Sequence, residues 1–261
     1  VSSIHPTAVV DPGASLAEGV VVGPLAVVEA ETTIGARCEL LARAVVKRYT
    51  VLGEDNGVHE GAVLGGEPQD VSFRGGPSAL VIGDRNRIRE GVTVHRAGAS
   101  GETRIGSDCY LMAYAHVAHD DRLGDGVILA NNVALAGHVQ VADRAFLSGG
   151  VVVHQFCRIG RLAMVGGNSK IVQDCLPFVI TDGVPGRARG LNVVGLRRAG
   201  FTASQLRTLK HAYRTLLRSA LPLETALARL DGMADPLADE LAAFVRASKR
   251  GFHRAGRAAE E

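Results

Sequence analysis

The sequence predicts a mainly β chain: a parallel β-helix of hexapeptide repeats, followed by a C-terminal α-helical domain. Three observations predict it. An aliphatic residue recurs at every sixth position through most of the chain up to Ile171. A small residue recurs four places after it. Beyond about residue 182 this period stops and a helical one takes over.

Composition sets the limits. The chain of 261 residues can bury a substantial core, yet it has no tryptophan, 4% aromatics and 32 glycines. Such a core has to be assembled from Val, Ile, Leu and Ala, as in a narrow and regular interior. No run of about 18 or more apolar residues occurs, so no membrane span is expected. The opening VSSIHPTAVV has no charged leader before an apolar stretch, and no secretion signal is read there. The net charge of +2 is unevenly spread: residues 182–261 carry 14 Lys and Arg against 8 Asp and Glu. A basic C-terminal part suits an acidic protein or a phosphate-bearing ligand, although solvated helix faces explain the same charges. No nucleic-acid partner is expected.

The aliphatic position runs from Ile4 to Leu64, resumes at Ile82, Ile88 and Val94, and continues unbroken from Ile105 to Ile171; all 26 residues are Val, Ile or Leu. Three hexads make one coil of 18 residues, and stacked coils are spaced by about 4.8 Å, the ordinary strand separation. The four cysteines, Cys38, Cys109, Cys157 and Cys175, all fall in the small slot. They read as packed small hydrophobes without zinc spacing or disulfide partners, which fits a reducing cytoplasm. Two breaks interrupt the repeat, DVSFRGGPSALV at 70–81 and SGETR at 100–104. Loops ejected from a solenoid gather where binding occurs, and the first carries Asp70 beside a Gly-Gly-Pro turn. The β-helix is expected over 1–182, with a linker and helical domain over 183–261. In the latter, GVPGRARGLNVVG (183–195) reads as a link. FTASQLRTLKHAYRTLLRSA then places Leu206, Leu209, Tyr213, Leu216 and Leu217 on one helix face, with Thr202 and Gln205 as a capping box. LETALARL and LADELAAFVRA continue the helical pattern and would cover the open strand edges.

The same register organises the histidines. Residues 18 apart stack, so His119, Gly137 and Gln155 share one column, with Asp120, His138 and Phe156 beside it. His116 and His154 lie on the same few coils. An imidazole next to a carboxylate, one rung below a bare glycine N–H, has the parts for acyl transfer. His119 would take a proton from an attacking hydroxyl, Asp120 would orient it, and the Gly137 N–H would face the oxyanion. No Cys or Ser nucleophile lies in the cluster, so direct transfer is expected. Two rivals stand beside this reading. A passive binding solenoid needs no chemistry from these residues. A zinc site would resemble that of hexapeptide-repeat carbonic anhydrases, but their H-x4-H pairing is H-x2-H here, and Ala118 lies two coils below His154; no metal is expected.

Several segments resemble one family in particular. IHPTAVVDPGASL, IGDRNRIREGVTVHR, AHVAHD, LANNVALAGHV, VHQFCRIG, MVGGNSKIVQD and LNVVGLRRAGF match the UDP-N-acetylglucosamine acyltransferases of lipid A biosynthesis across nearly the whole chain. The resemblance implies a left-handed β-helix and a cytoplasmic homotrimer with active sites between subunits. It also implies transfer of an (R)-3-hydroxyacyl chain from acyl carrier protein to the glucosamine 3-hydroxyl of UDP-N-acetylglucosamine, without a cofactor. By similarity His119 is the general base, Asp120 its partner and Gly137 the oxyanion donor. Asp70, His116, His138 and His154 would contact the sugar and acyl chain; Gln155, Asn192 and Arg198 would hold the nucleotide or its diphosphate. Gly167 matches the position limiting acyl length. Ser72 and Val194 depart from the family, which usually has a lysine and a glutamate there. That leaves open a different acceptor, such as a nucleotide sugar with an amine at C3.

Overall fold

A computed structural model describes residues 2–98 and 101–255. Each hexad repeats one local conformation. The aliphatic residue ends a short strand and points inward, while its neighbours point out. The second residue after it enters a turn with its N–H outside the coil-to-coil ladder, which is why Pro6, Pro12 and Pro24 stand there without losing a bond. The next residue takes a positive φ, as at Leu25, Tyr49, Asp120 and His138 (58°, 63°, 62° and 63°). The small fourth residue turns the chain inward again.

Three hexads close a coil, and the coils stack into three parallel sheets. The first face has eleven strands from Ser3–Ile4 to Arg187–Leu191, the last of them antiparallel; the second has nine from Val9–Val10 to Lys170–Ile171; the third has eight from Ser15–Leu16 to Arg158–Ile159. Ser3 pairs with Val21, as an 18-residue coil requires. The interior is a column of aliphatics, with Leu111, Leu129 and Leu147 fully buried. Ile4, in the first of the described strands, is half exposed. All four cysteines are free and buried in the small slot, and burial pushes the Cys175 thiol up to about 12. Such thiols are inert packing groups.

The insertions are shorter at one end than the sequence pattern implies. Residues 79–81 belong to the strand Ala79–Ile82, and 102–104 belong to Glu102–Ile105. These strands pair with each other over four rungs on the third face, and each also pairs with an ordinary coil strand. Backbone groups that can join a ladder do so rather than stay unpaired in a loop. Ser100, within the expected second loop, lies outside the described residues. The insertions lengthen two coils, so Val63 pairs with Thr93 and Thr93 with His116.

At the C-terminal end, Val179–Asp182 turns back into Arg187–Leu191, a strand inside the stretch expected to be a link. Among the described residues four helices follow: α1 (Val193–Arg198), α2 (Ala203–Leu217), α3 (Leu223–Asp231) and α4 (Pro236–Arg246). The Thr202–Gln205 capping box is present on α2, which buries Leu209, Tyr213 and Leu216. The helices pack on Leu176, Val179 and Ala188 and so cover the last strands. Arg158 ties the two parts together, bonding Asp174 Oδ2 at 2.9 Å and the Phe244 carbonyl at 2.7 Å. No helix among the described residues is long and apolar enough to cross a membrane.

His95 points out of the second face yet is 7% exposed, because Gly66 and the His116 ring lie against it. Burial lowers its pKa to about 4, and burial lowers those of His116 and His253 as well. These imidazoles are neutral in the fold, while the unfolded chain takes up their protons below about pH 6.5. Stability is therefore full above that value and falls as pH drops toward 4. Urea midpoints should decrease between about pH 7 and pH 5, and a His95→Gln variant should lose less over the same range. Equal losses in the two proteins would contradict a buried neutral His95.

Candidate active site

The strand His116–Val117 on the second face leads into a turn that carries His119 and Asp120. The His119 Nδ1 lies 2.7 Å from Asp120 Oδ2. Asp120 is held in its left-handed turn conformation by its own N–H, which donates to Thr103 Oγ1 at 2.8 Å. Its Oδ2 also accepts the Gly98 N–H at 3.1 Å, and His138 Nε2 is 3.7 Å away. With Nδ1–H directed at the carboxylate, the His119 Nε2 keeps its lone pair for a ligand.

One coil on, Gly137 lies against this ring. A Cβ at Gly137 would come within 2.6 Å of His119 Nε2 and Cε1, so the contact itself demands glycine. Its N–H occupies the turn slot that stays outside the ladder and meets no protein acceptor among the described residues. His138, next along, stands edge-on to His119 and stacks on Phe156 at 4.7 Å between centroids. His116 bonds Thr93 Oγ1 through Nδ1 at 2.7 Å; burial, then the neighbouring His119, lowers its pKa.

The loop at 67–78 reaches the same place. Asp70 Oδ1 accepts the Ser72 N–H at 2.8 Å. Those Ser72 bonds, with His119 and His138 nearby, hold the Asp70 carboxyl below the usual range. Gln69, His116, Ala118, His119, Ala134, Ala136, Gly137, Val152 and Gln155 line a groove of about 440 Å³ along the second face. Its floor is mostly small and apolar. His154 is exposed one coil above Ala136, its Nδ1 3.1 Å from the Gln155 carbonyl. Gly167 sits exposed at the corner between the first and second faces, where a Cβ would touch the Gly149 carbonyl at 3.4 Å and Ser148.

Asn192 and Arg198 are elsewhere. They line a cavity of about 510 Å³ on the first face, with Ile128, Phe146, Met164, Ile180 and Val194. The Asn192 side chain is used at both ends: Oδ1 accepts the Gly195 N–H at the start of α1, and Nδ2 donates to the Leu162 carbonyl. Within one chain, then, the residues proposed for the acyl and sugar groups gather on the second face, while Asn192 and Arg198 stand on the first.

Four residues near the site escaped the sequence reading. His95 and Thr93 adjoin His116, but the inserted residues break the 18-residue arithmetic that would have stacked them. Arg96 is buried and pins the loop, donating to the Gly76 carbonyl at 2.6 Å with its guanidinium over Phe73 and Tyr49. Nothing in the repeat marks it. Asp121 is a charged residue in an interior slot, a signal that was legible. Among the described residues, the one group with metal-ligand spacing is His119, Asp120 and His138; it contains two histidines, not the three of the zinc rival.

Comparison with known proteins gives one family throughout. A family profile described as UDP N-acetylglucosamine O-acyltransferase, domain 2, matches residues 174–253. The acyl-[acyl-carrier-protein]--UDP-N-acetylglucosamine O-acyltransferase of Verminephrobacter eiseniae is 47% identical over 97% of this chain and all of its own length. The Burkholderia orbicola protein of the same name is 45% identical over 96% and 99%. Among solved structures, the Francisella novicida UDP-N-acetylglucosamine acyltransferase superposes with a TM-score of 0.94 at 33% identity, covering 97% of this chain and 95% of that one. The Moraxella catarrhalis enzyme gives 0.92 at 38%, covering 96% and 99%. The fold is thus the parallel β-helix expected from the repeat, with the left hand that the family resemblance implied. This chain belongs to the acyl-[acyl-carrier-protein]--UDP-N-acetylglucosamine O-acyltransferase family.

Proposed function

We propose that this chain transfers an (R)-3-hydroxyacyl group from an acyl carrier protein thioester to the 3-hydroxyl of the glucosamine in UDP-N-acetylglucosamine, opening lipid A biosynthesis in the cytoplasm. The observation that carries the reading is the bonded His119–Asp120 pair set against the unclaimed amide of Gly137. His119 Nε2 takes the proton of the acceptor hydroxyl as its oxygen attacks the thioester carbonyl. The Gly137 N–H donates to the oxyanion of the tetrahedral intermediate, and Asp120 stabilises the imidazolium. Collapse breaks the C–S bond, and the imidazolium returns its proton to the departing thiolate. The C–O bond formed replaces the C–S bond broken, so the reaction needs neither cofactor nor metal.

The apolar floor of Ala118, Ala134, Ala136 and Val152 suits an acyl chain running toward Gly167, with His116, His138, His154 and Asp70 toward the sugar. Gln155, Asn192 and Arg198 serve the nucleotide part. A homotrimer accounts for the two separated half-sites. Packing around the corner shared by the first and second faces would bring Asn192 and Arg198 of one chain to the histidine groove of the next. Tyr114 and Leu25, 65% and 53% exposed on that corner, support this interface. The basic helical end offers a complementary surface to an acidic carrier protein. Neither departure, Ser72 or Val194, touches His119; both are exposed, so an acceptor with an amine at C3 belongs in the same assay.

Purified protein incubated with acyl carrier protein thioesters and UDP-sugars, read by product mass, should give an ester of UDP-N-acetylglucosamine; no product from any pair would remove the reading. His119→Ala should lower kcat by about a thousandfold with folding intact, within the range of about 10²–10⁴ for a lost general base. A variant near full activity would exclude His119. Gly137→Ala puts a methyl on the imidazole and should cost about a hundredfold or more in kcat while leaving the melting temperature nearly unchanged. Wild-type turnover in that variant would refute the close approach.

A further inference from the structure

Asp121 occupies the interior slot of its hexad, the position filled by Val139, Cys157 and Cys175 on the next coils of the same corner. It is fully buried. Its Oδ2 accepts the Ala118 N–H at 3.0 Å and its Oδ1 accepts the Val139 N–H at 2.7 Å. Both donors ordinarily have backbone partners. The residue after the aliphatic donates to the carbonyl one coil on, as Glu29 does to Val46, Lys47 to Leu64, Ala136 to Val153 and His154 to Ile171. The small-slot residue closes the turn, as Cys157 does to the His154 carbonyl. Neither bond is made at Ala118 or Val139, and the pairing of His116–Val117 with Ala134–Leu135 shrinks to the single rung His116–Ala134. The neighbouring rungs on this face come in twos.

A polar residue in this slot does not by itself open the ladder. Asn56 and Asn86 occupy it on the third face, and their Oδ1 atoms accept the next slot's N–H, from Asn86 and Cys109 respectively. There the Gly53 and Gly83 amides still reach the carbonyls of Ile82 and Ile105. Asp121 differs by taking both amides. One of these precedes His119 in the chain, and the other follows Gly137 and His138. Burial also raises the Asp121 carboxyl well above its usual range, a cost that the valine and cysteines above it avoid.

We propose that Asp121 is a positioning residue for acyl transfer. Its buried carboxyl takes the place of the Ala118–Leu135 rung, leaving the His138 N–H bond to the His119 carbonyl (3.1 Å) as the backbone link between the two turns, and so sets the approach of the imidazole to the Gly137 amide. The inference rests on the acyl-transfer reading for its kinetic consequence, not for its structural one. Asparagine is the informative substitution, because this chain already holds two asparagines in the same slot with the ladder closed. In Asp121→Asn the Ala118 N–H returns to the Leu135 carbonyl and the two turns draw together.

The test compares wild type, Asp121→Asn and Asp121→Cys by thermal melting, steady-state transfer, and NMR of the His119 ring and Gly137 amide. Both variants should melt at or above the wild-type temperature. Their kcat should fall by about ten- to a hundredfold with KM for each substrate within about twofold, as misplacement of reacting groups gives. The His119 and Gly137 resonances should shift in both variants without any substrate. Wild-type kcat with unmoved resonances overturns the proposal. So does a loss of kcat that tracks a lowered melting temperature, or failure of both variants to fold, since either makes the role merely structural. If the wild-type protein itself transfers nothing, the function reading fails, and the resonances alone decide Asp121.

Discussion

The N–H of one coil donates to the carbonyl of the next along all three faces, at 2.9 Å between Val9 and Ala26 for example, and no residue of the site has its neighbours without that ladder. Hydrogen bonding fixes the vertical spacing, and the buried aliphatic column fixes which residues face inward. A slip of one residue would send every interior side chain to solvent. His119 and Gly137 are brought one above the other by this register, with Asp121 bonded between their two turns. The turn slot completes the device, since at Gly137 its amide is left out of the ladder and a glycine exposes it as a donor.

Electrostatics then separates the roles. Burial lowers the pKa of His95 and of His116, and neither has a carboxylate bonded to it. Among the described residues, His119 alone has an acid within 3 Å of Nδ1. A positive charge forming on it is balanced by Asp120, which Gly98 and Thr103 hold in place. Asp70 adds negative charge from the far side of the groove. The pattern singles out one imidazole bonded to a carboxylate, which is what proton transfer to a single base needs.

The coil, its three faces, the interior cysteines and the capped α2 were legible because each follows from a strict period. The column of His119, Gly137 and Gln155 was legible for the same reason, since no insertion falls between those coils. Where insertions do fall, the arithmetic breaks. His95 and Thr93 lie one coil below the site but not 18 residues before it, and residues 79–81 and 102–104 joined a strand pair that the hexad pattern did not display. The strand Arg187–Leu191 was hidden because it has no aliphatic repeat; it forms by pairing with Val179–Asp182. Arg96 gives no periodic signal, as its role depends on where the loop happens to fold. The placement of Asn192 and Arg198 on another face follows from the path of the chain after the last coil, which no local pattern encodes.

A structure of the protein with an acyl donor and its nucleotide-sugar acceptor tests the central claim most directly. The account predicts the acceptor oxygen within roughly 2.6–3.2 Å of His119 Nε2 and the acyl carbonyl oxygen within the same reach of the Gly137 N–H. Reacting atoms bound on the first face, away from both groups, would contradict it.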